Sequence, residues 1–143
     1  MMMKGILVVI GGITYLLLEL LWRGHTHWTM FLVGGMCFFL IGAINEVISW
    51  NVSFLKQCLI GAVIVTIVEF IAGCIINLWL GLNVWDYSNI PGNILGQICP
   101  QYTLLWSIVA AGAIILDDYL RYWLFDEEYP CYFIFKKRKD INT

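Results

Sequence analysis

The 143-residue chain is 61% hydrophobic and only 13% charged, with a formal charge of −2 and a mean hydropathy of +0.82. A soluble domain of this size carries about 25% charged residues, so the composition excludes an ordinary soluble fold. The small acidic balance gives no footing for nucleic acid. Five cysteines, Cys37, Cys58, Cys74, Cys99 and Cys131, lack metal-ligand spacing, so neither a zinc site nor a disulfide framework is implied and no cofactor is expected.

Four runs carry no charge at all: Gly5 to Leu18, Thr29 to Ile44, Gln57 to Val68 and Thr103 to Leu116. Extended through single polar residues, they give spans over roughly 5–22, 28–48, 57–80 and 102–123, each near the ~20 residues that cross a hydrocarbon layer. The expected fold is all-α, an integral membrane four-helix bundle over residues 1–125, followed by a basic tail over 126–143. Its partner is then the lipid bilayer. Lys4, Lys56, Arg121, Lys136, Lys137, Arg138 and Lys139 fall on one side of the spans and Arg23 alone on the other. That bias predicts a multi-pass protein of the cell membrane with both termini in the cytoplasm.

The first run follows Lys4 and ends without a small-residue cleavage site, so it reads as an uncleaved span rather than a secretory signal. Near its end, Glu19 either pairs with Arg23 at i+4 or reaches outward to water. The connection that follows holds His25 and His27 between Trp22 and Trp28. A zinc site normally needs three protein ligands, and no third histidine exists. In span two, Gly35 and Gly42 lie two helical turns apart, which predicts a small face for close helix packing. Its inner end, Asn45-Glu46, is either solvated or functional.

Span three holds Glu69 near its middle, with Gly73 at i+4 and Asn77 at i+8 on the same face. A carboxyl at that depth costs at least ~2.5–3.5 kcal/mol, so it must face protein or water, or take up a proton. By default such an acid marks a functional site. Between spans three and four lies the long polar, turn-rich stretch from Trp85 to Pro100. It is either an exposed loop or a re-entrant segment lining a cavity. Asn89-Ile90-Pro91-Gly92 signals a turn. If Gly92 to Cys99 forms a short helix, Asn93 and Gln97 make a hydrogen-bonding stripe on one face. Asp86 either caps the turn through Ser88 or Asn89 or projects into the cavity. In span four, Asp117 and Arg121 form an i,i+4 pair in the order that suits a helix C-terminus.

Three segments together carry a family likeness: Trp22-Arg23-Gly24-His25-Thr26-His27-Trp28 running on to Asn45-Glu46, Glu69-Phe70-Ile71-Ala72-Gly73 to Trp85-Asp86-Tyr87-Ser88, and Gly96-Gln97-Ile98-Cys99. In order and spacing they resemble the putative ABC-transporter type IV (permease-like) family of small bacterial membrane proteins. The resemblance puts its emphasis on His27, Trp28, Asn45, Glu46, Glu69, Gly73, Asn77, Trp85, Asp86, Tyr87, Asn93, Gly96 and Gln97. It implies a transport role but carries over no substrate.

Three functions compete. A permease-like transport component would use Glu69, Asn77 and the polar stretch as its pathway, and four spans imply a homo-oligomer or a partner subunit. A non-catalytic structural or regulatory subunit would need only the small faces. A membrane enzyme would draw on His25, His27, Asp86 and Glu19, which lack a nucleophile-and-base arrangement, so no catalytic residue is assigned. No G-x-x-x-x-G-K-[ST] motif is present, so ATP coupling would require a separate chain.

Overall fold

The computed structural model describes residues 1–48 and 52–132; the basic run from Lys136 to Lys139 expected to anchor the tail lies outside them. Helix α1 spans Met2–Arg23 and stops at Gly24 in the left-handed conformation, φ 76°, which a residue without Cβ adopts freely. Helix α2 covers Thr29–Gly42 and is followed after one residue by the short α3, Ile44–Val47. Helix α4, Phe54–Gly73, is capped by the Ser53 side chain, which accepts from the Lys56 amide at 3.4 Å. It runs on as a π-helical turn over Cys74–Trp79. Helix α5, Pro100–Phe125, starts with proline in its first turn, where a missing N–H costs no intrahelical bond.

Four helical units, Met2–Arg23, Thr29–Val47, Phe54–Trp79 and Pro100–Phe125, are long and apolar enough to cross a membrane. Their ends lie within three residues of the expected boundaries. The described residues contain no strand, only an isolated bridge between Ile94 and Ile98. The fold is therefore the all-helical four-span arrangement that hydropathy predicts.

Glycine contacts set the closeness of the helices. Gly11 of α1 lies under the Phe38 side chain of α2, Gly12 under Phe31, and Gly34 of α2 under Tyr15 of α1. These aromatic rings fill what would otherwise be Cβ space, and they interlock α1 with α2. Gly35 packs on α1 through the Val8 carbonyl, whereas Gly42 faces α5 at Asp117. Small residues on one face of α2 thus serve two different neighbours, one at each level. Gly61 lets α4 approach Ala110 of α5. A Cβ at Gly35 would sit 2.7 Å from the Val8 backbone oxygen, an atom that cannot rotate away. Gly35→Leu is accordingly expected to cost ~1–3 kcal/mol, read as a lower melting temperature in detergent; an unchanged melt would place this α1–α2 contact elsewhere.

The apolar core joins α2, α4 and α5 through residues such as Ile41, Val65, Trp106, Ala110 and Ile114. At the bundle end shared by Lys4 and Phe39, whose ring centroid lies 5.9 Å from the ammonium, charge is concentrated and paired. Arg121 is 3% exposed. Its Nε donates to Asp117 at 2.7 Å and its Nη1 bonds Glu46, with Glu127 at 3.6 Å. Beside it, Asn45 donates to Asp118 at 2.6 Å, as does the Tyr132 hydroxyl at 2.5 Å. Asn45 and Glu46, read from the sequence as pathway candidates, lie in this cluster at the opposite end from Glu69.

A candidate polar cavity

The other end of the bundle is closed by the 80–99 segment, which folds back against α4. Asn77, buried in the π-helical turn, donates to the Gln97 side chain at 2.8 Å and accepts from the Val84 amide at 2.7 Å. The Trp85 indole N–H reaches the Gln97 carbonyl at 3.1 Å. Gly73 makes this docking possible, because a Cβ there would meet the Gln97 side-chain oxygen at 2.5 Å. Gly73 therefore packs on the loop rather than on a helix. The wider π turn carries the buried Asn77 at the place where the loop rejoins the helix, in keeping with the concentration of such turns at functional sites.

No helix forms over Gly92 to Cys99. Left-handed φ angles at Gly92, Leu95 and Gly96, of 80°, 53° and 69°, break any helical run. The Asn93 side chain donates to the Ile90 carbonyl at 2.8 Å and accepts from the Gly96 amide at 3.0 Å. A short polar side chain that bonds nearby backbone offers an alternative to the helical ladder. Asn93 and Gln97 thus part company: one ties the loop to itself, the other ties it to Asn77. Asp86 is exposed and bonds the Ser88 hydroxyl and amide. Those donors, the hydroxyl first, hold its carboxyl below the usual carboxylate range.

Within this frame Glu69 is 6% exposed, roughly 15 Å below the Trp79 end at 1.5 Å per residue. Each carboxylate oxygen has its own donor: the Tyr87 hydroxyl at 2.8 Å and the Trp106 indole N–H at 2.9 Å. Tyr87 stacks on Tyr102, centroids 4.6 Å apart and planes within 9°, and Trp106 lies against both Tyr102 and Tyr15 at 6.2 Å. Burial and the facing carboxylate push the Tyr87 hydroxyl up, which keeps it a donor. Two convergent neutral donors match an ionised carboxylate.

A cavity of about 360 Å³ opens beside this group, lined by Glu69, Trp106 and Tyr87 together with Glu19, Arg23 and Trp85. Glu19 and Glu69 thus share one cavity wall, although they come from different helices. Arg23 lies 3.0 Å from Glu19 and donates to the Val84 carbonyl at 3.0 Å. Glu19 is 7% exposed, and the Thr26 hydroxyl is its second partner beside Arg23. A second, more apolar cavity of about 340 Å³ shares Tyr15, Met30, Glu69 and Trp106. His27 does not reach either space; its Nδ1 bonds the Thr29 hydroxyl at 2.8 Å at the start of α2.

The matched family model, described as Putative ABC-transporter type IV, covers residues 1–126. The chain belongs to that family. No curated protein and no solved structure matches it. Membership of the ABC-transporter type IV family and four membrane-capable helices fit a multi-pass component of a membrane transporter. Trp106, Tyr15 and Tyr102 stand at the site although the polar pattern did not single them out. The signal for Trp106 was available: an indole N–H deep in a span needs an acceptor, and Glu69 is the acidic residue in the middle of a neighbouring span.

Proposed function

We propose that the chain is a non-enzymatic, permease-like transport component of the cell membrane, with both termini cytoplasmic, in which the cavity beside Glu69 receives the transported solute. The observation that carries this reading is a buried carboxylate held by Tyr87 and Trp106 on the wall of a cavity of solute size. A group needed only for packing would not require a charge at mid-span. Four spans are too few for most one-chain transport paths, so a second copy or a partner subunit completes the path, and any ATP hydrolysis resides in a separate chain.

The deciding substitution is Glu69→Gln. Trp106 can only donate, so the amide oxygen must face it; the amide NH2 then meets the Tyr87 hydroxyl, which can reverse from donor to acceptor. The variant keeps its hydrogen bonds and loses its charge. Membrane vesicles from cells with the wild-type chain, without it, and with the variant would be offered a pooled solute extract and ATP, with uptake read by mass spectrometry. At least one solute class is expected to enter wild-type vesicles only, with variant and wild-type chains present in equal amount. Identical uptake in all three would overturn transport and leave a structural subunit.

A further inference from the structure

The walls of the cavity beside Glu69 are aromatic and anionic together. Six aromatic residues line it, Tyr15, Trp22, Trp85, Tyr87, Tyr102 and Trp106, and ring contacts join four of them in the order Tyr87, Tyr102, Trp106, Tyr15. Its charged lining is three carboxyls, Glu19, Glu69 and Asp86, against the single guanidinium of Arg23. Arg23 is engaged with Glu19 and with the Val84 carbonyl. The two groups that donate to Glu69, the Tyr87 hydroxyl and the Trp106 indole N–H, are both neutral.

We propose that this cavity binds an organic monocation, a protonated or quaternary aliphatic amine, with Glu69 supplying the opposing charge and the aromatic wall supplying the rest. The inference rests on the reading of this cavity as the solute site and names the class of solute. Aromatic faces attract weakly hydrated cations through the ring quadrupole, and they do so more strongly in a desolvated space. An anion would meet three carboxyls for one guanidinium. A small hydrated metal ion would find rings where it needs oxygen ligands. Glu19 adds a second buried carboxylate to the same wall, but it is already paired with Arg23, so Glu69, whose partners are both neutral, is the buried acid that faces the cavity without a cation of its own. The volume of about 360 Å³ lies within the range of about 300–1,000 Å³ usual for small-ligand pockets.

The test is binding, separate from transport. The full chain in nanodiscs is titrated with choline and with its uncharged isostere 3,3-dimethyl-1-butanol, and binding is followed by tryptophan fluorescence and by melting temperature. Choline is expected to saturate the signal and raise the melt, with at least tenfold tighter binding than the isostere. Glu69→Gln should abolish that preference. Trp22→Leu, at a residue 68% exposed and so without a core role, should weaken choline binding severalfold even if the Gln variant fails to fold. Equal binding of both compounds, competition by sodium chloride at matched ionic strength, or no binding of either would overturn the monocation site. Choline binding without vesicle uptake of any solute would retain the site and remove the transport role. Uptake of an anionic or neutral solute, with no choline binding, would do the reverse.

Discussion

Arg121→Leu is expected to destabilise the protein by roughly 3–5 kcal/mol, the cost typical of removing one partner from a buried ion pair. Asp117 is completely buried, and its Oδ2 accepts from the Arg121 Nε at 2.7 Å. Removing the guanidinium leaves that carboxylate buried without its partner, whereas Glu46, which is exposed, falls back on water. Thermal unfolding in detergent should show a drop large enough to lower the yield of folded protein. Adding Asp117→Asn should return a good part of the loss, because the stranded charge disappears with its partner. If Arg121→Leu alone melted like wild type, the cluster would be surface decoration and not a clamp between α2, α3 and α5.

The second large effect belongs to Gly42→Leu. A Cβ at that position would lie 2.5 Å from both Cγ and Oδ2 of Asp117, the oxygen that bonds Arg121. Overpacking alone costs ~1–3 kcal/mol, and displacement of Asp117 adds part of the ion-pair loss. The two sites share one carboxylate, so their effects should not add. In the Arg121→Leu background, Gly42→Leu should cost clearly less than in wild type, as expected for residues in one network. Strict additivity in that double-mutant cycle would mean that Gly42 acts only on the approach of helices α2 and α5.

The spans were legible because each charge-free run is long enough to be nothing else, and the Glu69–Gly73 spacing follows from helical periodicity, which persists to the end of α4; Asn77 lies past that end, in the π-helical turn, yet meets the same Gln97 as Gly73 does. What the sequence hid was the partner of each residue. Gly35 and Gly42 repeat at two helical turns, yet one meets α1 and the other α5, a distinction that depends on the helix crossing. The π-helical turn at Cys74–Trp79 leaves no mark in hydropathy. Asn93 and Gln97 suggested an i,i+4 stripe because that spacing presumes a helix, and the positive φ at Leu95 is a conformation that a leucine does not advertise. Hydropathy gives Tyr15, Tyr102 and Trp106 no distinct role, so the ring cluster around Glu69 stays hidden in it; an indole or phenol looks the same in a sequence whether it faces lipid headgroups or an acid.

The interlocked glycines and aromatic rings of α1 and α2 have a mechanical consequence. Helix α1 is tied closely to α2, and α4 closely to α5, whereas α2 provides the main bridge between those pairs. The cavity walls come from both pairs, so the space lies along a seam between two stiff plates joined on one side. Its width is then governed by the tilt of one plate against the other, a motion that leaves each tight seam intact, and an occupant touching both plates would act as a rivet across it.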